Sequence, residues 1–367
     1  MKKIKFLAVA LAAFTMFSCS NDEIENLGNN VPGEQAVLTI NLKGDGDNQA
    51  QSRAAGAADE SEEVKVDDYL IFLFRDGGAL DCPVQNGTSA SLTTTIAATT
   101  AAKKVYVVAN TGTLAQGPFA SVKTEADLLK VTGDLMTADN SASTQTAANL
   151  WMSGTDEVKF ENSSDPTKGT ATVKLSFVAA KIQLIVNDER KNKSGTAIQI
   201  QDQAVVLLYA GKSGKFFGED RDTQNEYYAG DVSYFQSGTP AGVTLSDQVL
   251  SDGATGGFTN GTVFNHFYTF GNNGKIKPTI LAIKSEKTVK GGGSSTIYYP
   301  IQFTKGDAKY TIEPGKSYTV TVTLNGDVEA GQGGGTTDPE APVIKSDIVV
   351  TVTAAQWVTV PISKDFN

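Results

Sequence analysis

The sequence predicts a mainly β protein with few short helices, and three observations carry that prediction. Glycine accounts for 36 of 367 residues, and Thr, Ser, Val and Asn recur, a composition that favours strands and turns. Apolar and polar residues alternate at period two in one segment after another. Helix signals, by contrast, are scarce. The length suggests two domains, each large enough for its own core.

Residues 1–18 read as a secretory signal peptide. Lys2, Lys3 and Lys5 precede an apolar run from Phe6 to Phe17 that is too short to span a bilayer as a permanent helix. Met16-Phe17-Ser18-Cys19 resembles a lipobox, with a large apolar residue at −3 and a small one at −1. Cys19 is therefore the expected lipidation site of an exported lipoprotein precursor. The acidic Ser20–Glu25 stretch that follows reads as a tether with a surface-export signal.

The first strand is expected at 36–42, where Leu38, Ile40 and Leu42 share one face. Residues 44–58 lack apolar periodicity and read as an exposed loop. Further strands are expected at 69–75, 91–97, 104–109, 170–177, 181–186, 204–209, 262–270, 278–284, 296–303, 317–324 and 347–352. The best helix signal is Thr124–Lys130, where Thr124 caps and Asp127 answers three residues later. Asn272-Asn273-Gly274 and Gly291-Gly292-Gly293 mark turn tips. A Gly/Thr/Pro linker, Gly331–Pro342, is expected to isolate the last strand from the body.

Catalytic chemistry finds little support. A net charge of −10 argues against nucleic acid, which demands a basic patch. With Cys19 lipidated, Cys82 is left alone, so no intrachain disulfide and no cysteine metal site is expected. His266 is the one histidine; beside Phe264, Phe267 and Tyr268 it reads as a packed strand residue. Gly211-Lys212-Ser213 and Gly315-Lys316-Ser317 lack the earlier glycine of a P-loop. Acid pairs such as Asp67-Asp68 and Glu219-Asp220 read as a solvated face, and Asp45-Gly46-Asp47 lacks the rest of a calcium loop. No enzyme, cofactor or metal is expected.

Two features remain. The chain has four arginines, at 53, 75, 190 and 221, and Arg53 alone lies in a long stretch of small residues suited to a protease cleft. A trypsin-like cut between Arg53 and Ala54 is one reading, a solvated linker charge the other. The closing segment, Ile348-Val349-Val350-Thr351-Val352-Thr353, is strongly strand-forming. It either folds back into its own sheet or is free to pair elsewhere.

Several segments in order carry a resemblance to the Bacteroidales fimbrillin family, the subunits of type V pili. They are the lipobox leader, Val105–Asn110, Leu150-Trp151-Met152-Ser153-Gly154 and Val173–Ile182. Tyr298-Tyr299-Pro300-Ile301 leading into Ile312–Tyr318, and the closing strand with Trp357, complete the set. The resemblance covers nearly the whole chain. It implies two β-sandwich-like (transthyretin-like) domains, 54–180 and 181–330, after a lipidated propeptide, 19–53, and before a linker and donor strand, 331–367. It further implies a structural pilin, with assembly by protease-assisted strand exchange. The 36–42 strand would leave with the propeptide, and a neighbour's Ile348, Val350 and Val352 would replace Leu38, Ile40 and Leu42.

The implied partners are other copies of the chain, fimbrial accessory subunits, an arginine-specific surface protease and a ligand on a host or bacterial surface. Outer-membrane attachment by lipid would be transient, and the mature subunit would reside in a surface fimbrium. Competing expectations are a tip or accessory adhesin, which would lack the donor strand, and a basal anchor, which would lack a cleavable arginine. A surface glycan-binding lipoprotein would expose aromatics, for which Tyr227-Tyr228 and Tyr234-Phe235 are the candidates.

Overall fold

A computed structural model describes residues 33–44, 63–88, 93–138, 142–160, 165–190, 198–218, 226–228, 244–246, 251–253, 257–274, 278–289, 291–303, 312–324, 336–339 and 348–356. The chain is mainly β. Its N-terminal half holds β1 (Gln35–Gly44), β2 (Asp68–Arg75), β3 (Gln85–Thr88), β4 (Thr93–Thr99), β5 (Ala102–Ala109), β6 (Thr132–Asp134), β7 (Met152–Glu157) and β8 (Lys168–Phe177). All but β6 join one sheet, in the order β3-β2-β5-β7-β8-β1-β4. β7 and β8 pair only at Met152–Phe177 and Ser153–Ser176, and there the sheet turns a corner. The arm β3-β2-β5-β7 then faces the arm β8-β1-β4 across a core that includes Ile71, Val107, Leu38, Ile40 and Val173.

The sequence pattern explains which strands are buried on one face and which on two. β8 alternates between buried residues and exposed or, at Ser176, half-buried ones, as a strand with one wet face does. β2 reads Tyr-Leu-Ile-Phe-Leu-Phe without a break. Tyr69, Ile71 and Leu73 enter the sandwich core, while Leu70, Phe72 and Phe74 enter a second layer behind it. That second layer is covered by two 3-10 turns, Gly112–Gln116 and Pro118–Ser121, and by the short helix α1 (Glu125–Leu128). Thr124 caps α1 as expected: its Oγ1 accepts from the Asp127 amide at 3.1 Å, and Asp127 Oδ2 accepts from the Thr124 amide at 3.0 Å.

The C-terminal half holds β9 (Ala180–Asp188), β10 (Ile198–Leu208), β11 (Ala210–Gly211), β12 (Ser213–Lys215), β13 (Glu226–Tyr228), β14 (Thr244–Ser246), β15 (Ser251–Gly253) and β16 (Val263–Thr269). It continues with β17 (Ile280–Val289), β18 (Ser294–Gln302), β19 (Lys316–Leu324) and β20 (Ile348–Gln356). One sheet runs β15-β10-β17-β18 and another β16-β9-β19-β20. Val205, Leu207 and Ile283 of the first meet Leu184, Val320 and Val322 of the second in one core. The halves share a device: β1 lies parallel to β8, and β9 lies parallel to β19.

The halves are welded by aromatics. Trp151 lies 5.2 Å from Phe216 and 5.9 Å from Phe270, ring to ring, and Phe216 meets Phe119 edge-on at 4.9 Å. Ser153 Oγ donates to the Phe216 carbonyl, and β6 pairs with β12 across the same seam. Gly154 must stay a glycine because a Cβ there would meet the Lys174 carbonyl at 2.1 Å. At the end of β5, Asn110 adopts φ 62°. Its side chain donates to the Lys65 and Leu150 carbonyls and accepts from the Asp67 amide, which holds that unusual backbone in place.

Two expected outcomes follow. Phe216→Ala is expected to destabilise the whole chain by about 3–5 kcal/mol, read by urea denaturation, because it opens a cavity in a layer both halves share. The Tyr106 phenol, pushed up to about 12 by burial and by donating to Glu125, keeps its proton in the fold. A raised folded value means the stabilisation is complete below about pH 10 and is lost as pH rises through about 12. Tyr106→Phe is expected to flatten that alkaline decline in denaturation curves.

Candidate functional site

The candidate site is the slot that β1 occupies. Parallel pairing with β8 runs from Val37–Lys168 to Gly44–Leu175, and antiparallel pairing with β4 runs from Gln35–Thr99 to Asn41–Thr93. Leu38, Ile40 and Leu42 point into the sandwich core; Leu38 and Ile40 are fully buried, while Val37 on the other face is 46% exposed. The alternation expected from the sequence is thus the alternation seen. Both backbone edges of β1 are in use, so β1 is an interior strand.

Its entry is tight. A Cβ on Gly33 would meet the Ala101 amide nitrogen at 2.5 Å, and the Glu34 carbonyl accepts from the Thr100 amide at 2.9 Å. Beyond Gly44 the chain next enters the described residues at Glu63. Glu63 is buried, and its Oε1 accepts from Lys181 Nζ at 2.5 Å and from the Tyr268 hydroxyl at 2.6 Å. Lys181 opens β9 and Tyr268 lies on β16, so the C-terminal half grips the chain just before β2. No sequence signal distinguished Glu63 from the acids around it; the grip exists only once β9 and β16 are paired.

The closing strand, among the described residues, is paired on one side. β20 pairs antiparallel with β19 from Leu324–Ile348 to Lys316–Gln356, at the edge of its sheet. Ile348, Val350 and Val352 stand in register with Leu324, Val322 and Val320. Of the two readings left open, folding back is the one adopted here. Of the expected linker, residues 336–339 are described, and they are docked: Thr336 exchanges two backbone hydrogen bonds with Tyr298 on β18, at 2.7 and 2.9 Å, and Pro339 is buried. The outer edge of β18 at Tyr298 gives that segment a ladder partner, which outweighs the freedom of a Gly/Thr stretch.

Of the remaining expectations, Cys19, Arg53 and Ala54 lie outside the described residues, as do Tyr234, Phe235 and Asp45–Asp47. Arg75 and Arg190 are buried in ion pairs, the first with Asp81 and the second with Asp188 and Asp202. His266 sits half-buried on β16 against Tyr268, ring centroids 5.2 Å apart. Tyr227 and Tyr228 are interior, so they form no exposed aromatic platform. Among the described residues no three His, Cys, Asp or Glu side chains are grouped to hold a metal ion. None of their helices is long and apolar enough to cross a membrane.

The grip on Glu63 can be tested directly. Lys181→Met is expected to cost about 3–5 kcal/mol in urea denaturation, because it removes the cation beside a buried carboxylate. Adding Glu63→Leu is expected to recover a large part of that loss.

The chain resembles known proteins along its length. Residues 36–201 match a family described as major fimbrial subunit protein (FimA), and residues 179–357 match the C-terminal domain of FimA-like major fimbrial subunit proteins. A curated relative, the major fimbrium subunit FimA type-2 of Porphyromonas gingivalis, is 25% identical, with 97% of this chain and 98% of the relative aligned. A crystal structure of a candidate cell adhesion protein from Bacteroides eggerthii DSM 20697 is 61% identical at a TM-score of 0.78, covering 90% of this chain and 98% of that one. A fimbrilin from Porphyromonas gingivalis W83, 18% identical, shares the fold at a TM-score of 0.62, covering 90% of this chain and 99% of that one.

Proposed function

The chain belongs to the FimA-like major fimbrial subunit family, and we propose that it is a structural pilin that polymerises by protease-triggered strand exchange. The observation that carries this reading is the unequal pairing of its two ends. Among the described residues β1 is paired on both edges and β20 on one. A β20 strand that left β19 for a neighbour's vacated β1 slot would trade one ladder for two. Such β-augmentation adds main-chain bonds and alternate side-chain pockets together. Each of the three pockets that Leu38, Ile40 and Leu42 now fill would contribute about 1.5–3 kcal/mol to an aliphatic side chain.

β1 is too well held to leave while the chain is continuous. A cut between Arg53 and Ala54 would break that continuity and let residues 19–53 depart with the lipid at Cys19. Glu63, gripped by Lys181 and Tyr268, would keep the new N-terminal segment fastened to the body. Arg75 and Arg190 are sequestered in ion pairs, which leaves an arginine-specific protease fewer targets. The contact between copies is head-to-tail, so it propagates as an open filament on the cell surface. Accessory subunits would cap or anchor that filament, and a surface ligand would be met by its exposed faces. The adhesin and glycan-binding readings have less support, since a C-terminal strand is present and Tyr227 and Tyr228 are interior.

Arg53→Ala is expected to leave a long, lipid-bearing monomer in which β1 stays in place. Intact mass of the surface-exposed protein, with native gel electrophoresis, reads both properties. Normal polymers from this variant would refute the reading.

A further inference from the structure

Removing β1 raises a difficulty that the fold answers. β4 pairs with β1 and stands at the end of the sheet, so departure of β1 would strip β4 of its strand neighbour among the described residues. A groove needs two walls, and β8 alone is one. The outer edge of β4 is nevertheless occupied. In a strand, the amide and carbonyl of one residue point to the same side, and successive residues alternate. The Ala97 carbonyl and the Thr99 amide both face away from β1, and both are bonded to side chains. Gln85 Nε2 donates to the Ala97 carbonyl at 2.9 Å, and Cys82 Sγ donates to the same carbonyl at 3.4 Å. Asp81 Oδ2 accepts from the Thr99 amide at 2.7 Å, and Asp81 Oδ1 accepts from the Thr99 hydroxyl at 2.5 Å.

These fastenings lead back to the opposite arm of the sandwich. Asp81 is fully buried; its carboxylate accepts from Arg75 Nε at 2.8 Å, its carbonyl from the other end of that guanidinium, and its amide donates to the Leu73 carbonyl. Gln85 begins β3, which lies at the far end of the sheet order from β4. Side chains thus close the sandwich where, among the described residues, no backbone ladder does.

We propose that Asp81 and Gln85, with Arg75 behind Asp81, are positioning residues that hold β4 as the far wall of the β1 slot once β1 has gone. The proposal rests on the strand-exchange reading above. It explains why an ion pair is buried beside an edge strand, at a place where apolar packing would serve a static sandwich as well. It also assigns the incoming strand of a second copy a preformed ladder at Ile96 and Ala98, whose backbone groups face the slot.

The test compares the parent with Gln85→Met, which keeps length and loses the amide contacts to the Ala97 carbonyl and, at 3.3 Å, to Cys82 Sγ, and with Asp81→Asn. The purified chain is cut with an arginine-specific protease, and a labelled peptide of residues 346–357 is offered as the incoming strand. Before cutting, Gln85→Met is expected to show parental hydrogen exchange over residues 93–99, since β1 still covers β4. After cutting and loss of residues 19–53, exchange there should quicken, and both variants should capture on the order of tenfold less peptide than the parent. Equal capture by parent and Gln85→Met, or quickened exchange of equal size before and after cutting, would overturn the proposal. Should Asp81→Asn fail to fold, Gln85→Met decides alone. A cut parent that keeps residues 19–53, or takes up no peptide, sinks strand exchange itself and the wall with it; that outcome is visible without any variant.

Discussion

A buried strand must satisfy the backbone groups on both of its edges, and the two ends of this chain meet that demand unequally. β1 is enclosed between β8 and β4 and buries one full face. β20 lies at an edge, with a single ladder among the described residues. Everything proposed about assembly grows from that difference. A fold whose ends were both interior would be locked, and one whose ends were both at edges would associate without control. Here the more secure position belongs to the segment upstream of Arg53, and the less secure one to the closing strand.

The body around these strands is built to stay rigid. Trp151, Phe216, Phe119 and Phe270 join the halves through ring contacts, and Glu63, Lys181 and Tyr268 repeat the joint in polar form. β2 and β5 are buried on two faces in one half, as β10 and β17 are in the other. A sandwich with a backed central layer can lose a strand from one arm without losing the layer that organises it.

Much of this was legible in the sequence where a residue's fate depends on its near neighbours. Period-two alternation located β1, β8 and β19, and Thr124 with Asp127 located α1. β3, β6, β12 and β13 escaped because four or fewer residues cannot establish a period, and β6 and β12 exist only through pairing with each other. β7 was visible as the segment Leu150–Gly154 but not as a strand, since Gly154 and Thr155 carry no apolar signal. The site divides in the same way. Leu38, Ile40 and Leu42 announced their shared face. Glu63, Asp81 and Gln85 looked like any other polar residues, because their partners lie on other elements and in two cases across the sandwich. The docking of Thr336 was not legible for a related reason: it carries no local signal for the β18 edge that receives it.

That docking point alters the mechanics of any filament these subunits build. With Thr336 fixed to Tyr298, eleven residues (337–347) separate that point from the closing strand, against twenty-three (325–347) counted from the end of β19. Fully extended, the shorter tether reaches about 40 Å and the longer about 80 Å. Two backbone hydrogen bonds therefore separate a stiff joint from a compliant one. If subunits join by the proposed strand exchange, a joint pulled hard would yield first at Thr336 and lengthen by a fixed step before the exchanged strand bears the load.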